Sequence, residues 1–208
     1  MQRYKLVIFD FDGTIASSLP SYIKIYNLVA TKHNLQKIKK KDIPRLRGLS
    51  PKEVIAQLKV HFLQLPMLFF EGRNLMKKFE NEILPIKGIK NVLKNLSKNN
   101  KLIVLTSNTK KFVENFFIQH KIDYFSEIWS ELNIFGKDRA LKKILKKHAL
   151  KPQQVLYIAD EVRDIIACKK VGIAVASVTW GFNSRKILKK ESPNYIINSP
   201  EKLVSLLK

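Results

Sequence analysis

The 208-residue sequence contains a single cysteine, Cys168, which excludes both an internal disulfide framework and a cysteine-rich zinc site. Acidic residues are scarce: 17 Asp and Glu stand against 39 Lys and Arg, for a formal net charge of +22. Arginine is scarce as well, filling only 7 of those 39 positions, and Arg is the residue that supplies bidentate contacts to phosphates and bases. The longest basic run is Lys39-Lys40-Lys41, and the remaining lysines are spread along the whole chain. A solvated Lys-rich surface accounts for this distribution, so no specific nucleic-acid partner is expected. Long apolar runs are missing too. The first one stops at Asp10, too soon for a signal peptide or a membrane span, and the expectation is a cytoplasmic protein without a membrane partner. Internal repeats and low-complexity tracts are also lacking.

A composition of 45% hydrophobic and 27% charged residues describes a globular chain long enough for one sizeable domain carrying an insertion. Four short apolar runs, 6–9, 102–105, 155–158 and 173–178, read as strands, with weaker candidates at 127–129 and 195–197. Their lack of alternation suits a parallel sheet covered on both faces. Phe112, Val113, Phe116, Phe117 and His120 recur at helical spacing, as do Leu141, Ile144, Leu145 and His148. This alternation predicts an α/β fold with a doubly wound, Rossmann-like parallel sheet. Residues 10–101 separate the first two strands, too many for one crossover helix. Most of that stretch has helical spacing, and Ser50-Pro51-Lys52-Glu53 has the form of a capping box. The predicted organisation is a core of residues 1–15 and 85–208 with an inserted helical cap at 16–84.

Three predicted strands are followed by polar residues: Asp10, Thr106 and Asp160. Ligands of open parallel sheets bind beyond the carboxyl ends of the strands, so these side chains are expected to converge. In Asp10-Phe11-Asp12-Gly13-Thr14 the two acids are two residues apart on an extended chain and share one side. Neighbouring carboxylates repel unless a divalent cation neutralises one and a proton sits on the other. That division suits a nucleophile beside a general acid–base. Gly13 allows a sharp turn away from the site. Thr106-Ser107-Asn108 offers a hydroxyl and successive backbone N–H groups, fit either for an anion cradle or for an ordinary helix cap. Asp160 and Asp164 are four residues apart across a strand-to-helix turn, which suits a metal ligand with a partner behind it, or acids drawn to a helix N-terminus. Lys137, in a chain so rich in lysine, carries no signal by itself. The histidines, His33, His61, His120 and His148, lie on helical patterns without metal-ligand spacing.

The order of these pieces resembles the haloacid dehalogenase-like hydrolase superfamily, from Lys5 to about Phe182, with the helical insertion in the position of the family's first cap type. The resemblance rests on Asp10 to Thr14, Thr106, Lys137, the acidic pair Asp160 and Asp164, and the closing Thr179-Trp180-Gly181-Phe182. Ala159 stands for the usual Gly, Lys137 lacks the following Pro, and Ser17 replaces a hinge Asp. The second acid, Asp12, is similar to that of the phosphatases, which protonate a departing oxygen; dehalogenases lack it. The capped arrangement is similar to phosphoglycolate phosphatases.

What the resemblance implies is phosphate monoester hydrolysis through an aspartyl-phosphate on Asp10, with Asp12 as acid and base and Lys137 as a catalytic cation. Mg2+ would be held by Asp10, the Asp12 backbone carbonyl and Asp160, with Asp164 beside them. Gly13, Thr106, Ser107 and Asn108 would bind phosphate. Arg47 is a candidate contact for a substrate carboxylate, or a surface Arg near a helix start. The expected partner is a small phosphorylated metabolite, and the protein a monomer or homodimer. A phosphosugar mutase, a nucleotide phosphatase or, more remotely, a basic nucleic-acid binding protein without catalysis are the alternatives.

Overall fold

The computed structural model describes residues 4–133 and 136–207. Six parallel strands form one sheet in the order β3-β2-β1-β4-β5-β6: β1 Leu6–Phe9, β2 Lys101–Thr106, β3 Glu127–Ser130, β4 Val155–Ala159, β5 Ala174–Val178 and β6 Tyr195–Ile197. The chain winds one way from β1 through β2 to β3 and resumes on the other side of β1 with β4. A crevice therefore opens at the carboxyl ends of β1, β2 and β4.

The continuous apolar strands bury both faces. Val7, Phe9, Leu102, Val104, Leu156 and Ile158 belong to one core, whereas Leu6, Ile8, Ile103, Leu105, Val155 and Tyr157 belong to another. Successive side chains point to opposite faces, so each strand feeds both cores. The first core is covered by α5 Ile89–Leu96, α6 Lys110–His120 and α10 Glu201–Leu206, through Val92, Leu93, Val113, Phe116 and Leu203. The second is covered by α7 Lys137–His148, α8 Val162–Val171 and α9 Arg185–Lys190, through Leu141, Ile144, Ile165, Cys168 and Leu188.

Between β1 and α5 lie α1 Leu19–Lys32, α2 Ile43–Leu46, α3 Pro51–Gln57 and α4 Leu65–Phe79. Helix α3 starts as expected: Ser50 Oγ accepts from Glu53 N at 3.4 Å, and Glu53 Oε2 accepts from Ser50 N at 2.6 Å. The strands of chain entering and leaving this segment lie side by side, with Ser17 N donating to Leu84 O and Ile86 N to Ile15 O, both at 2.8 Å. Ile25, Met76 and Ile83 continue the first core into the inserted helices. No helix among the described residues is long and apolar enough to cross a membrane.

Each histidine has a local partner: His33 meets Glu71, His61 accepts from Leu63 N, His120 meets the Ile83 carbonyl and His148 meets Glu127. Glu127 also accepts from Trp129 Nε1 at 2.9 Å and faces Lys147 at 2.7 Å and Lys101 at 3.4 Å. Its partial burial alone would raise the carboxyl pKa, but Lys147, Trp129, His148 and Lys101 carry it down to about 2. Glu127→Gln is expected to cost about 1 kcal/mol at neutral pH, because these cations are themselves half exposed. A depressed folded-state pKa gives stability above the ordinary value of 4.5 that is lost as pH falls toward 2. Denaturant titrations of both proteins at pH 7 and near pH 2 should show the difference at the first and its disappearance at the second.

Candidate active site

Strand alternation builds the first part of the site. Phe9 and Phe11 turn into the first core, where Phe11 meets Phe112, Phe116 and Phe117 edge-on at 6.0, 5.0 and 6.1 Å between centroids. Asp10 and Asp12 are thereby directed to the opposite side, and both are buried. The chain then bends at Gly13, whose φ of +68° favours glycine. A Cβ there would also collide with the Asp160 carboxylate and the Phe182 ring, and one on Gly181 would collide with Asp160 as well. The two glycines let the loops after β1 and β5 close around that carboxylate.

Lys137, the first residue of α7, is 2% exposed. Its Nζ lies 2.9 Å from Asp10 Oδ2 and donates to Asp164 Oδ1 at 2.6 Å. Tyr157 OH reaches the same Asp164 oxygen at 3.4 Å. Thr106 is fully buried at the end of β2, where its Oγ1 accepts from Asn108 N at 3.0 Å. Asn108 Nδ2 donates to Asp12 Oδ2 at 2.6 Å, and Tyr22 OH donates to the same oxygen at 3.3 Å. Asp12 Oδ1 and Asp164 Oδ2, both buried, have no hydrogen-bond partner among the described residues.

Burial of these charges shifts their titration. Asp10 is raised to about 7 by burial, which outweighs the pull of Lys137 and is reinforced by Asp164. Burial likewise raises Asp12. Lys137 would be lowered by burial, but the charges of Asp10 and Asp164 override it and raise its pKa, so it stays protonated. Burial thus pushes both carboxyls toward the protonated form, and what distinguishes them is contact: Asp10 lies against the Lys137 ammonium, whereas Asp12 meets the neutral donors Asn108 and Tyr22.

The acidic cluster differs in one member from the expectation. Carboxylate oxygens of Asp10, Glu161 and Asp164 lie within 4.8 Å of one another. Asp160, expected as a direct ligand, is not one of these three, and both its oxygens are engaged: Oδ1 accepts from Thr14 Oγ1 at 2.8 Å and Oδ2 from Phe182 N at 2.6 Å. Burial, with the charges of Glu161 and Asp10, raises its pKa well above the carboxylate range. Glu161 was not singled out by the sequence pattern, although it directly follows Asp160. Its Oε1 accepts from Arg163 Nε at 3.0 Å and from Arg163 Nη2, an ion pair at the edge of the cluster. Three converging carboxylates with an unsatisfied buried oxygen on Asp164 form a hard, all-oxygen donor set that fits Mg2+.

Two further candidates lie differently from their expected roles. Arg47 Nη2 donates to Thr179 O at 2.9 Å and its own carbonyl accepts from Ser184 N at 2.7 Å, while its buried Nε has no hydrogen-bond partner among the described residues. It joins the inserted segment to the loop after β5. Ser107 is half-buried and makes no side-chain hydrogen bond among the described residues. Tyr22 is a site residue that helical spacing concealed, since its phenol reaches Asp12 while its ring packs edge-on against Phe182 at 5.5 Å.

Similarity to known proteins extends over nearly the whole chain. A phosphoglycolate phosphatase of Synechococcus elongatus is 29% identical over 200 residues, covering 95% of this chain and 94% of its own. A phosphoglycolate phosphatase of Haemophilus influenzae is 26% identical over 225 residues, covering 99% of both. The solved structure of a haloacid dehalogenase-like hydrolase from Streptococcus pneumoniae superposes with a TM-score of 0.86 over 100% of both chains at 22% identity. The family model for haloacid dehalogenase-like hydrolases matches residues 7–178, a span that runs from β1 through β5 and takes in Asp10, Asp12, Thr106, Lys137, Asp160 and Asp164. An acid pair at the end of the first strand, a buried lysine and a second acidic group converging on one crevice thus have their explanation in common descent: the chain is an enzyme of the haloacid dehalogenase-like hydrolase family.

Proposed function

We propose that the protein is a Mg2+-dependent phosphatase of small phosphate monoesters, with phosphoglycolate the leading substrate. The observation that carries the reading is the unequal treatment of two adjacent acids. Asp10 lies against the Lys137 ammonium, and Asp12 is held by neutral donors, Asn108 Nδ2 and Tyr22 OH on Oδ2, with the Ser18 side chain also acting on its carboxyl. The full-length relatives named phosphoglycolate phosphatase support the choice of substrate.

A carboxylate oxygen of Asp10 attacks phosphorus, and the bond from phosphorus to the ester oxygen breaks. Asp12, protonated, gives its proton to that departing oxygen. Water then attacks the aspartyl-phosphate, Asp12 takes a proton from it, and the bond from phosphorus to Asp10 breaks to release phosphate. Lys137 and the Thr106 hydroxyl, whose oxygen is oriented by the bond it accepts from Asn108 N, meet the negative charge of the phosphoryl oxygens. Asp10, Glu161 and Asp164 would hold Mg2+, and Asp160 ties the loop after β1 to the loop after β5 through Thr14 and the Phe182 amide. When bound, the ion neutralises the carboxylates and polarises the transferring phosphoryl group. Residues 16–84 act as a cap over the core of 1–15 and 85–208 and exclude bulk water from the crevice.

The test is release of inorganic phosphate from a panel holding phosphoglycolate, sugar phosphates and nucleoside monophosphates. Phosphoglycolate should be turned over fastest in Mg2+, and chelation with EDTA should reduce every rate to background. Turnover of all esters at equal rates would remove phosphoglycolate, and activity surviving EDTA would remove the metal.

A further inference from the structure

Asp12 is held from two directions. Asn108 belongs to the sheet domain, on the turn after β2, and its Nδ2 lies 2.6 Å from Asp12 Oδ2. Tyr22 belongs to α1, the first inserted helix, and its hydroxyl lies 3.3 Å from the same oxygen. Both groups donate, so Oδ2 is fixed as an acceptor. The proton of a neutral Asp12 is then left to Oδ1, a buried oxygen that makes no hydrogen bond of ordinary length among the described residues, although the Ser18 side chain also acts on this carboxyl. Two hydrogen bonds to one oxygen thus decide which oxygen carries the proton, as well as the plane of the carboxyl group.

The Tyr22 ring is itself fixed. It packs edge-on against Phe182 at 5.5 Å, and Phe182 N donates to Asp160 at 2.6 Å. Arg47, also in the inserted segment, bonds to Thr179 and Ser184 in the same loop after β5. The position of Tyr22 therefore depends on how the inserted helices sit on that loop.

We propose that Tyr22 is a positioning residue for Asp12, supplied by the inserted segment, so that the proton donor is fully aligned only while α1 rests against the sheet domain. The assignment relies on the phosphatase reading above and extends it: seating of α1 completes the acid as well as covering the site. A proton from Asp12 matters most when the departing oxygen is basic. An alkyl ester such as phosphoglycolate needs it, whereas p-nitrophenolate leaves without assistance.

The experiment compares kcat/KM for phosphoglycolate and for p-nitrophenyl phosphate in the wild type and in Tyr22→Phe. This ratio reports only the steps up to departure of the leaving group. The variant keeps the ring and its Phe182 contact, and its melting temperature checks that the fold is intact. The expected result is a loss of about tenfold on the alkyl ester and less than about twofold on the aryl ester. On an Asp12→Asn background the same change should cost nothing further, because the proton it positions is gone. Equal losses on both esters, no loss on either, or a full additional loss on the Asp12→Asn background would each overturn the assignment. A wild-type protein inert to both esters in Mg2+ would instead overturn the phosphatase reading, and the assignment with it.

Discussion

Asp10→Asn is expected to lower phosphate release by at least about three orders of magnitude while leaving the metal-free fold as stable as the wild type, or more so, above neutral pH. The amide keeps the shape and the hydrogen bond that Asp10 Oδ1 accepts from Phe11 N at 2.8 Å, but its NH2 then faces the Lys137 ammonium, which retains Asp164 as its acceptor. The amide offers no anionic oxygen to attack phosphorus, the part proposed for Asp10, and the part proposed for Asp12 is proton transfer. The stability claim follows from burial. A carboxyl raised to about 7, against an ordinary 3.8, binds its proton more tightly folded than unfolded. Stability of the metal-free wild type should therefore fall as pH climbs from about 4 to about 7. The asparagine has no charge to bury, so its profile should be flatter and should lie above the wild type at about pH 8. Thermal melts in EDTA across this range read the crossing, and the same samples assayed with Mg2+ read the activity. Near-normal hydrolysis would remove Asp10 as the nucleophile. A variant that melts lower at pH 8 would show that the attraction of Lys137 outweighs the cost of burial.

How far the site could be read from the letters differs from residue to residue. The alternation Phe9-Asp10-Phe11-Asp12 specified its own geometry, because a period of two sends the rings to the core and the acids to the other side. Convergence of Asp10, Thr106 and Asp160 on one edge followed from strands being parallel, which the unbroken apolar runs implied. The runs themselves coincided with β1, β2, β4 and β5 to within a residue or two, and the weak signals at 127–129 and 195–197 are β3 and β6. Lys137 could be chosen among so many lysines only through the resemblance to a family, since what distinguishes it is burial between two acids, a tertiary property. Glu161 joins Asp10 and Asp164 only through the fold, and the partners that hold Asp160, Thr14 and the Phe182 amide, lie 146 and 22 residues away. Tyr22, and the contact of Arg47 with the loop after β5, escaped for the same reason. Each sits on a helical segment whose periodicity tells which face is apolar but not which distant loop that face meets.

The other large effect concerns that buried lysine. Lys137→Met removes the cation and keeps most of the volume, leaving Asp10 and Asp164 as like charges around an empty centre. Breaking a buried ionic cluster by deleting one partner costs about 3–5 kcal/mol, far more than such a cluster contributes over an apolar replacement of the whole. The loss should grow as pH rises above about 7 in EDTA, because without the Lys137 ammonium the Asp10 carboxyl, already raised to about 7 by burial, is pushed higher still. It should shrink toward pH 5 as Asp10, whose folded-state pKa is already raised to about 7, takes up a proton. Mg2+ should then stabilise the variant more than the wild type, since Asp10, Glu161 and Asp164 can share an added cation once the ammonium is gone. Restored stability should not bring restored turnover, because phosphoryl charge would still lack the Lys137 contact. Lys137→Arg keeps the charge but brings a planar fork into a site shaped for an ammonium, so it should recover more stability than activity. If Lys137→Met melts with the wild type at pH 8 in EDTA, the ionic cluster contributes nothing to the fold. If Mg2+ raises its melting point no more than that of the wild type, the three carboxylates do not act together on a cation.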